Sequence, residues 1–158
     1  MGLQWEAVRT EFEFDGSWRD IYVLGTDLTD WQRMLDSLRA SAFEVAYYAG
    51  HDEAVELPAS AAEAFPRTGE HDRLLTVRFG GVGANCHFFL ETEIEWDIDP
   101  REVTGQRELD ALVAFMQALA TAVGKDVVLT PENLPQTAVL RACPSSVEVE
   151  YHPFGGFR

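Results

Sequence analysis

The sequence predicts an α+β domain in two layers, a mainly antiparallel sheet with two principal helices on one of its faces. Segments that alternate polar and apolar residues outnumber helical stripes, and two of the stripes are long enough to be principal helices. Glycine-rich turns between alternating segments favour antiparallel neighbours. With 158 residues and no linker rich in Gly, Pro or Ser, the chain 1–158 reads as one globular domain able to bury its own core.

The elements run in order along the chain. Residues 9–14 alternate polar and apolar side chains and read as a strand, and residues 20–24 form a short apolar run after the Asp15-Gly16 turn. Thr29 is the expected N-cap of the first principal helix, with Gln32 completing a capping box and Trp31, Leu35 and Leu38 on one face. Residues 43–49, rich in aromatic and β-branched side chains, read as a strand. A short helix fits between Pro58 and Pro66, where Ser60 and Glu63 have capping-box spacing. Residues 74–79 and 84–90 read as a hairpin turning on Gly80-Gly81-Val82-Gly83. The second principal helix is expected over 106–123, with Leu109, Leu112, Val113, Met116, Leu119 and Val123 as its stripe and Gly124 as its C-terminal cap. Further strands are expected at 127–129 and 147–151, with 138–142 a candidate for another.

An internal echo joins the two helices. Residues 32–38 and 106–112 match at five of seven positions: Gln, Arg, Leu, Asp and Leu recur at the same offsets. A ββαβ unit used twice would produce this, as would two amphipathic helices drawing on one restricted alphabet.

Charge bounds the function. Twenty-seven acids against twelve bases give a formal net charge of −15, which repels phosphate backbones and argues against nucleic acid as a partner. Such a field steers basic proteins toward the chain, and it also serves solubility. No apolar run approaches the ~20 residues of a membrane span, and residues 1–9 lack the pattern of a signal peptide, so no membrane association and a cytoplasmic location are expected. Cys86 and Cys143 are then expected to remain thiols. Eleven of the twelve bases are Arg, the usage of a GC-rich, bacterial-type genome.

The most informative stretch is residues 91–99. Strand side chains alternate faces, so Glu91, Glu93, Glu95, Asp97 and Asp99 share one face and Thr92, Ile94, Trp96 and Ile98 the other. The carboxylates recur every ~6.6 Å and the row spans ~26 Å, a face that must look at solvent or at a cationic partner. Glu11 with Glu13, and Glu148 with Glu150, extend the expectation to nine carboxylates on one open sheet face, with Arg9, Arg78 and Arg141 as the nearest internal neutralisers. The row reads in three ways: as a solvated or edge-protecting face, as a docking face for an Arg- or Lys-rich partner, or as a cation site, for which a straight ladder converges too few oxygens.

Catalytic signatures are missing. The glycine-rich turn lacks the Lys-Ser/Thr of a P-loop and the third glycine of a dinucleotide fingerprint, and no Gly-x-Ser-x-Gly, His-Glu-x-x-His or Cys-x-x-Cys occurs. No cofactor and no metal are therefore expected, and the balance points away from an enzyme. His51, His71 and His152 read as surface residues, the last in an aromatic tail over 151–158 suited to fraying or to packing on a neighbour. His87 is different: with Asn85 and Phe89 it is expected to point to the acidic face, where neighbouring carboxylates would raise its pKa. His87 and Asn85 are thus the alternative site, that of a small enzyme or ligand-binding protein, while Cys86 is expected in the core. In general character the chain resembles inhibitor or immunity proteins that neutralise basic toxins. The sequence accordingly points to a non-catalytic binding module that docks a basic protein through its acidic sheet face.

Overall fold

The structure is a computed structural model that describes residues 2–154. One eight-stranded sheet forms from β1 (Arg19–Leu24), β2 (Glu44–Tyr48), β3 (Leu74–Phe79), β4 (Val82–His87), β5 (Glu93–Ile98), β6 (Val127–Pro131), β7 (Leu140–Ala142) and β8 (Glu150–Tyr151). Its spatial order is β2-β3-β4-β5-β1-β6-β7-β8, and every neighbouring pair is antiparallel. The four α-helices are α1 (Trp5–Val8), α2 (Leu28–Ala40), α3 (Ala61–Ala64) and α4 (Gln106–Val123). The α+β class and the antiparallel sheet with two principal helices on one face are as the sequence predicts. No helix among the described residues is long and apolar enough to cross a membrane.

Both principal helices bury their apolar stripes against the same face. Trp31, Met34, Leu35 and Leu38 of α2, and Leu109, Leu112, Phe115, Met116, Leu119, Ala120 and Val123 of α4, are buried. They meet the inward row of each strand, including Ile21, Val23, Leu75, Val77, Ala84, Cys86, Ile94, Trp96, Ile98 and Leu129. Phe115 is the hub: its ring stacks on Phe79 at 4.4 Å, and Trp96 and Phe43 meet it edge-on at 5.2 and 5.8 Å. Cys86, wholly buried opposite Trp96, has its thiol pushed well up by desolvation and is inert.

Local chemistry sets the boundaries. The first helix starts earlier than Thr29 implies, because Asp27 and Asp30 form the reciprocal capping box. Gln32 is instead spent on a neighbouring segment. Gly80 and Gly81, at φ of 52° and 89°, make a two-residue turn, so Val82 and Gly83 already belong to β4. Gly124 caps α4 in the left-handed region, as expected.

Residues 9–14 are the clear correction. They do not form a strand: residues 9–12 are a single 3₁₀ turn continuing α1, which places Val8 and Phe12 in the core. The guanidinium of Arg19 holds this arrangement, since its Nε donates to the Glu11 carbonyl and its terminal nitrogens to the carbonyls of Glu13, Ser17 and Trp18 (2.9–3.2 Å). At the other end of the chain only residues 150 and 151 pair as a strand, and Val147 is exposed. The part of the aromatic tail beyond Phe154 lies outside the described residues.

The sequence echo has a structural counterpart. Gln32 accepts from the Ala61 N–H and donates to the Ala59 carbonyl and to Asp36. Gln106 accepts from the Trp5 N–H and donates to the Leu3 carbonyl and to Asp110. Each glutamine thus grips the first turn of a four-residue helix, α3 or α1, and braces itself on an Asp one helical turn away. The surrounding topology differs between the copies. The crossover β1-α2-β2 passes three strands and β5-α4-β6 passes one, and no strand at residues 9–14 completes a first ββαβ unit.

Candidate functional site

The open face of the sheet carries the side chains that alternate with the core row. Strand register fixes two ranks at its centre. Asn85, Asp97, Asp20 and Thr130 stand side by side across β4, β5, β1 and β6, and His87, Glu95, Tyr22 and Val128 form the next rank. In this way the sheet assembles three carboxylates, a histidine, a phenol and an amide from three adjacent strands.

Hydrogen bonds join them in two groups. Asp97 receives the Asn85 amide at 2.9 Å on one oxygen and meets His87 Nε2 at 2.6 Å on the other. The Tyr22 hydroxyl lies 3.1 Å from Asp20 and 3.3 Å from Glu95. Asp20 is almost wholly buried, because the chain after β6 folds back and the Asn133 N–H donates to it at 2.8 Å. Asn133 reaches that position with φ of 60°, a conformation asparagine tolerates better than most residues.

The expected ladder is shorter than the sequence implies. Glu93, Glu95 and Asp97 lie in β5, but Glu91 sits in the preceding turn, and its carbonyl accepts from Thr26 and from the Trp31 indole. Asp99 has left the strand to cap the 3₁₀ turn at residues 100–102, and it pairs with Arg101. Glu11 is nearly buried and accepts from the Tyr151 hydroxyl and the Phe154 N–H. Glu13 lies beyond the same helical turn, so neither joins the face. Glu150 is on the open side beside Arg141, but four strands and ~19 Å from Glu95. The nine-carboxylate face therefore reduces to a compact central group.

The arginines expected to neutralise it form no ion pair with the central acids, although Arg78 and Arg141 share the open side of the sheet. Arg9 pairs with Glu6 and Arg141 with Asp126, while the Arg78 side chain extends over Gly83. Among the described residues no Lys or Arg forms an ion pair with Asp20, Glu93, Glu95 or Asp97. His87, cationic only when protonated, is the basic group that meets them.

His87 and Asn85 sit on the acidic side of the sheet, where the alternative reading puts them. His87 bonds Asp97 and stands opposite Glu95, rather than approaching Glu91 or Glu93. Asp20 and Tyr22 are the site residues that sequence reasoning misses. The signal is present: Asp20, Tyr22 and Leu24 alternate with Ile21 and Val23, a pattern hidden by reading the segment as an apolar run. No group of three or more His, Cys, Asp or Glu among the described residues is placed to hold a metal ion. A cavity of about 300 Å³ borders the far end of the first rank at Thr130, lined also by Glu11, Glu13 and Arg19 among others, and His87, Glu95 and Asp97 are not part of its wall.

The electrostatics give a prediction with a definite sign. The Asp97 hydrogen bond raises the His87 pKa, with the charges of Asp97, Glu95 and Asp20 adding and desolvation opposing. Burial raises Glu95, helped by the charges of Asp20 and Glu93 and opposed by Tyr22 and His87. Burial likewise raises Asp20, against its bonds from Asn133 and Tyr22. A histidine with a raised folded pKa adds stability that is complete below its ordinary value and lost as pH climbs through the folded one. A carboxyl with a raised folded pKa opposes folding while ionised, and that penalty lifts as pH falls. All three groups act in the same direction. Asp15 and Asp99 are lowered by their hydrogen bonds, from Ser17 and Arg101 respectively, and their contribution is lost only below about pH 4. The melting temperature is therefore expected to rise from about pH 8 to about pH 5 and to fall in stronger acid. Thermal melts of the wild type and His87→Gln check this, the variant flattening the upper part of the curve. A wild-type profile that falls throughout would contradict the assignment.

No protein-family model matches this chain, no curated protein matches its sequence, and no solved structure matches its fold.

Proposed function

We propose that the open sheet face is a docking surface for a basic protein segment, and that the protein acts as a binding module rather than as a catalyst. One observation carries this reading: Glu93, Glu95, Asp97 and Asp20 converge on the centre of the face with no Lys or Arg of the described chain to neutralise them. In a chain of net charge −15 many of the bases are engaged in local pairs away from these acids, such as Arg39 with Asp36 and Arg73 with Glu70. A cationic segment laid on the face would supply the missing counter-charge and would be steered to it from solution.

The test uses an oligolysine peptide as probe. Glu93→Gln, Glu95→Gln and Asp97→Asn combined should weaken association about tenfold or more, mainly through the on-rate, and the difference should shrink at high salt. The control is Glu53→Gln, Glu56→Gln and Glu63→Gln, which removes three exposed charges that lie outside the face. Equal weakening by both triples would reduce the binding to bulk charge and defeat the proposal.

A second reading, a small-molecule site at His87, is favoured by the 2.6 Å contact between His87 and Asp97 beside Tyr22 and Glu95. That pairing is one a proton-transfer site uses. It equally suits a surface that adjusts its charge to its partner.

A further inference from the structure

Beside the carboxylates the open face displays a set of exposed apolar side chains. Phe89 is 59% exposed and Leu24 37%. Phe89 lies just past the end of β4, with its ring parallel to the His87 imidazole (5.0 Å between centroids, 3° between planes). His87 stands opposite Glu95, and Leu24 stands opposite Glu93. An exposed aromatic ring, an aliphatic side chain and carboxylates without a Lys or Arg partner among the described residues are therefore neighbours on one surface. That combination suits a planar cation: the ring attracts it through its π face, and the carboxylates accept its forked N–H groups.

The same chemistry is already realised inside the fold. The Arg101 guanidinium carbon lies 4.1 Å from the centroid of the half-exposed Phe14 ring, while its Nε and a terminal nitrogen bond both oxygens of Asp99. Phe14, Arg101 and Asp99 form a closed set of ring, guanidinium and carboxylate. Phe89 with Glu93 and Glu95 offers the ring and the carboxylates without the guanidinium.

We propose that this face selects arginine over lysine, seating a partner's guanidinium against Phe89 and pairing it with Glu93 or Glu95, while Leu24 takes the aliphatic part of the partner segment. The inference rests on the docking reading above and specifies its occupant. A lysine ammonium is a compact, strongly hydrated charge without a flat face or a fork, so it gains the general attraction but not the stacking or the paired hydrogen bonds.

The experiment compares two peptides of equal length and charge with the full chain at physiological salt, one carrying only arginine and the other only lysine between Gly-Ser spacers. Dissociation constants are read by fluorescence anisotropy. The arginine peptide should bind about five- to tenfold tighter. Phe89→Ala should erase that preference and leave lysine-peptide binding unchanged, and Phe89→Trp should preserve or increase it. Because Phe89 is exposed, its replacement leaves the core intact. Equal binding of the two peptides, or a preference that survives Phe89→Ala, overturns the arginine seat while the docking surface stands. Binding of neither peptide overturns both.

Discussion

Replacing Phe115 by alanine is expected to lower the stability of this domain by about 3–5 kcal/mol, the cost of emptying the centre of its core. Phe115 is fully buried and joins α4 to two parts of the sheet and to the start of β2, through Phe79, Trp96 and Phe43. Removing the ring costs its transfer free energy and leaves a cavity whose walls cannot close, because three large aromatic side chains would have to move together. At about 2–4 °C per kcal/mol for a chain of this length, the melting temperature should fall by roughly 6–20 °C. Phe115→Leu should recover much of the loss, because it refills part of the volume. A fall of under about 1 kcal/mol from the alanine variant would show that the aromatic cluster is not the mechanical centre of the core.

The second large effect is expected at Arg19, and for the opposite reason: it is a buried charge that organises backbone. Its guanidinium reaches Glu11, Glu13, Asp15, Ser17 and Trp18, closing the segment between α1 and β1 into a compact loop. Arg19→Met keeps most of the aliphatic stem and deletes every one of these bonds. Hydrogen bonds to charged groups are worth more than neutral ones, and several carbonyls lose their donor at once, so a loss of about 2–3 kcal/mol is expected. Arg19→Lys should restore little of it, since one ammonium cannot span acceptors spread over the fork of a guanidinium. Thermal melts give the size of the effect, and amide exchange gives its place. Fast exchange should appear in residues 9–18 and not in α4, and exchange spread evenly over the chain would contradict a local anchoring role.

Arg19 also explains where the sequence is least legible. Residues 9–14 alternate as a strand does, yet their carbonyls are claimed by a side chain from beyond the segment, and Phe12 reaches the core from a helical turn. Alternation over six residues cannot register a guanidinium that arrives from outside it. Longer periodicities are legible. The stripe of α4 fixes its face over five turns, and the strands around Gly80-Gly81 need only a left-handed pair at their turn.

The candidate site is half legible. Glu93, Glu95 and Asp97 follow from the pleat of one strand, and so does the side on which His87 and Asn85 lie. The pleat of a strand says nothing about its neighbours. Asp20 and Tyr22 enter because β1, distant in sequence, is inserted beside β5, and Glu91 and Asp99 leave because a turn and a cap use them at either end. Registry between strands, and not composition, decides which acids become neighbours.

That insertion also governs the order in which the molecule can assemble. Residues 19–24 leave the ribosome well before their two partners, residues 93–98 and 127–131. Until the first of these has been made, Ile21 and Val23 have no sheet to join, and until the second has been made one edge of β1 keeps its backbone donors and acceptors bare. The meander β2-β3-β4-β5 can form by local pairing, but it ends on an edge that waits for a strand synthesised before it. Long-range closure of this kind slows folding and prolongs the exposure of strand edges. A dense negative charge on the growing chain keeps such intermediates apart, so the net charge of −15 shields the unfinished sheet from its own kind.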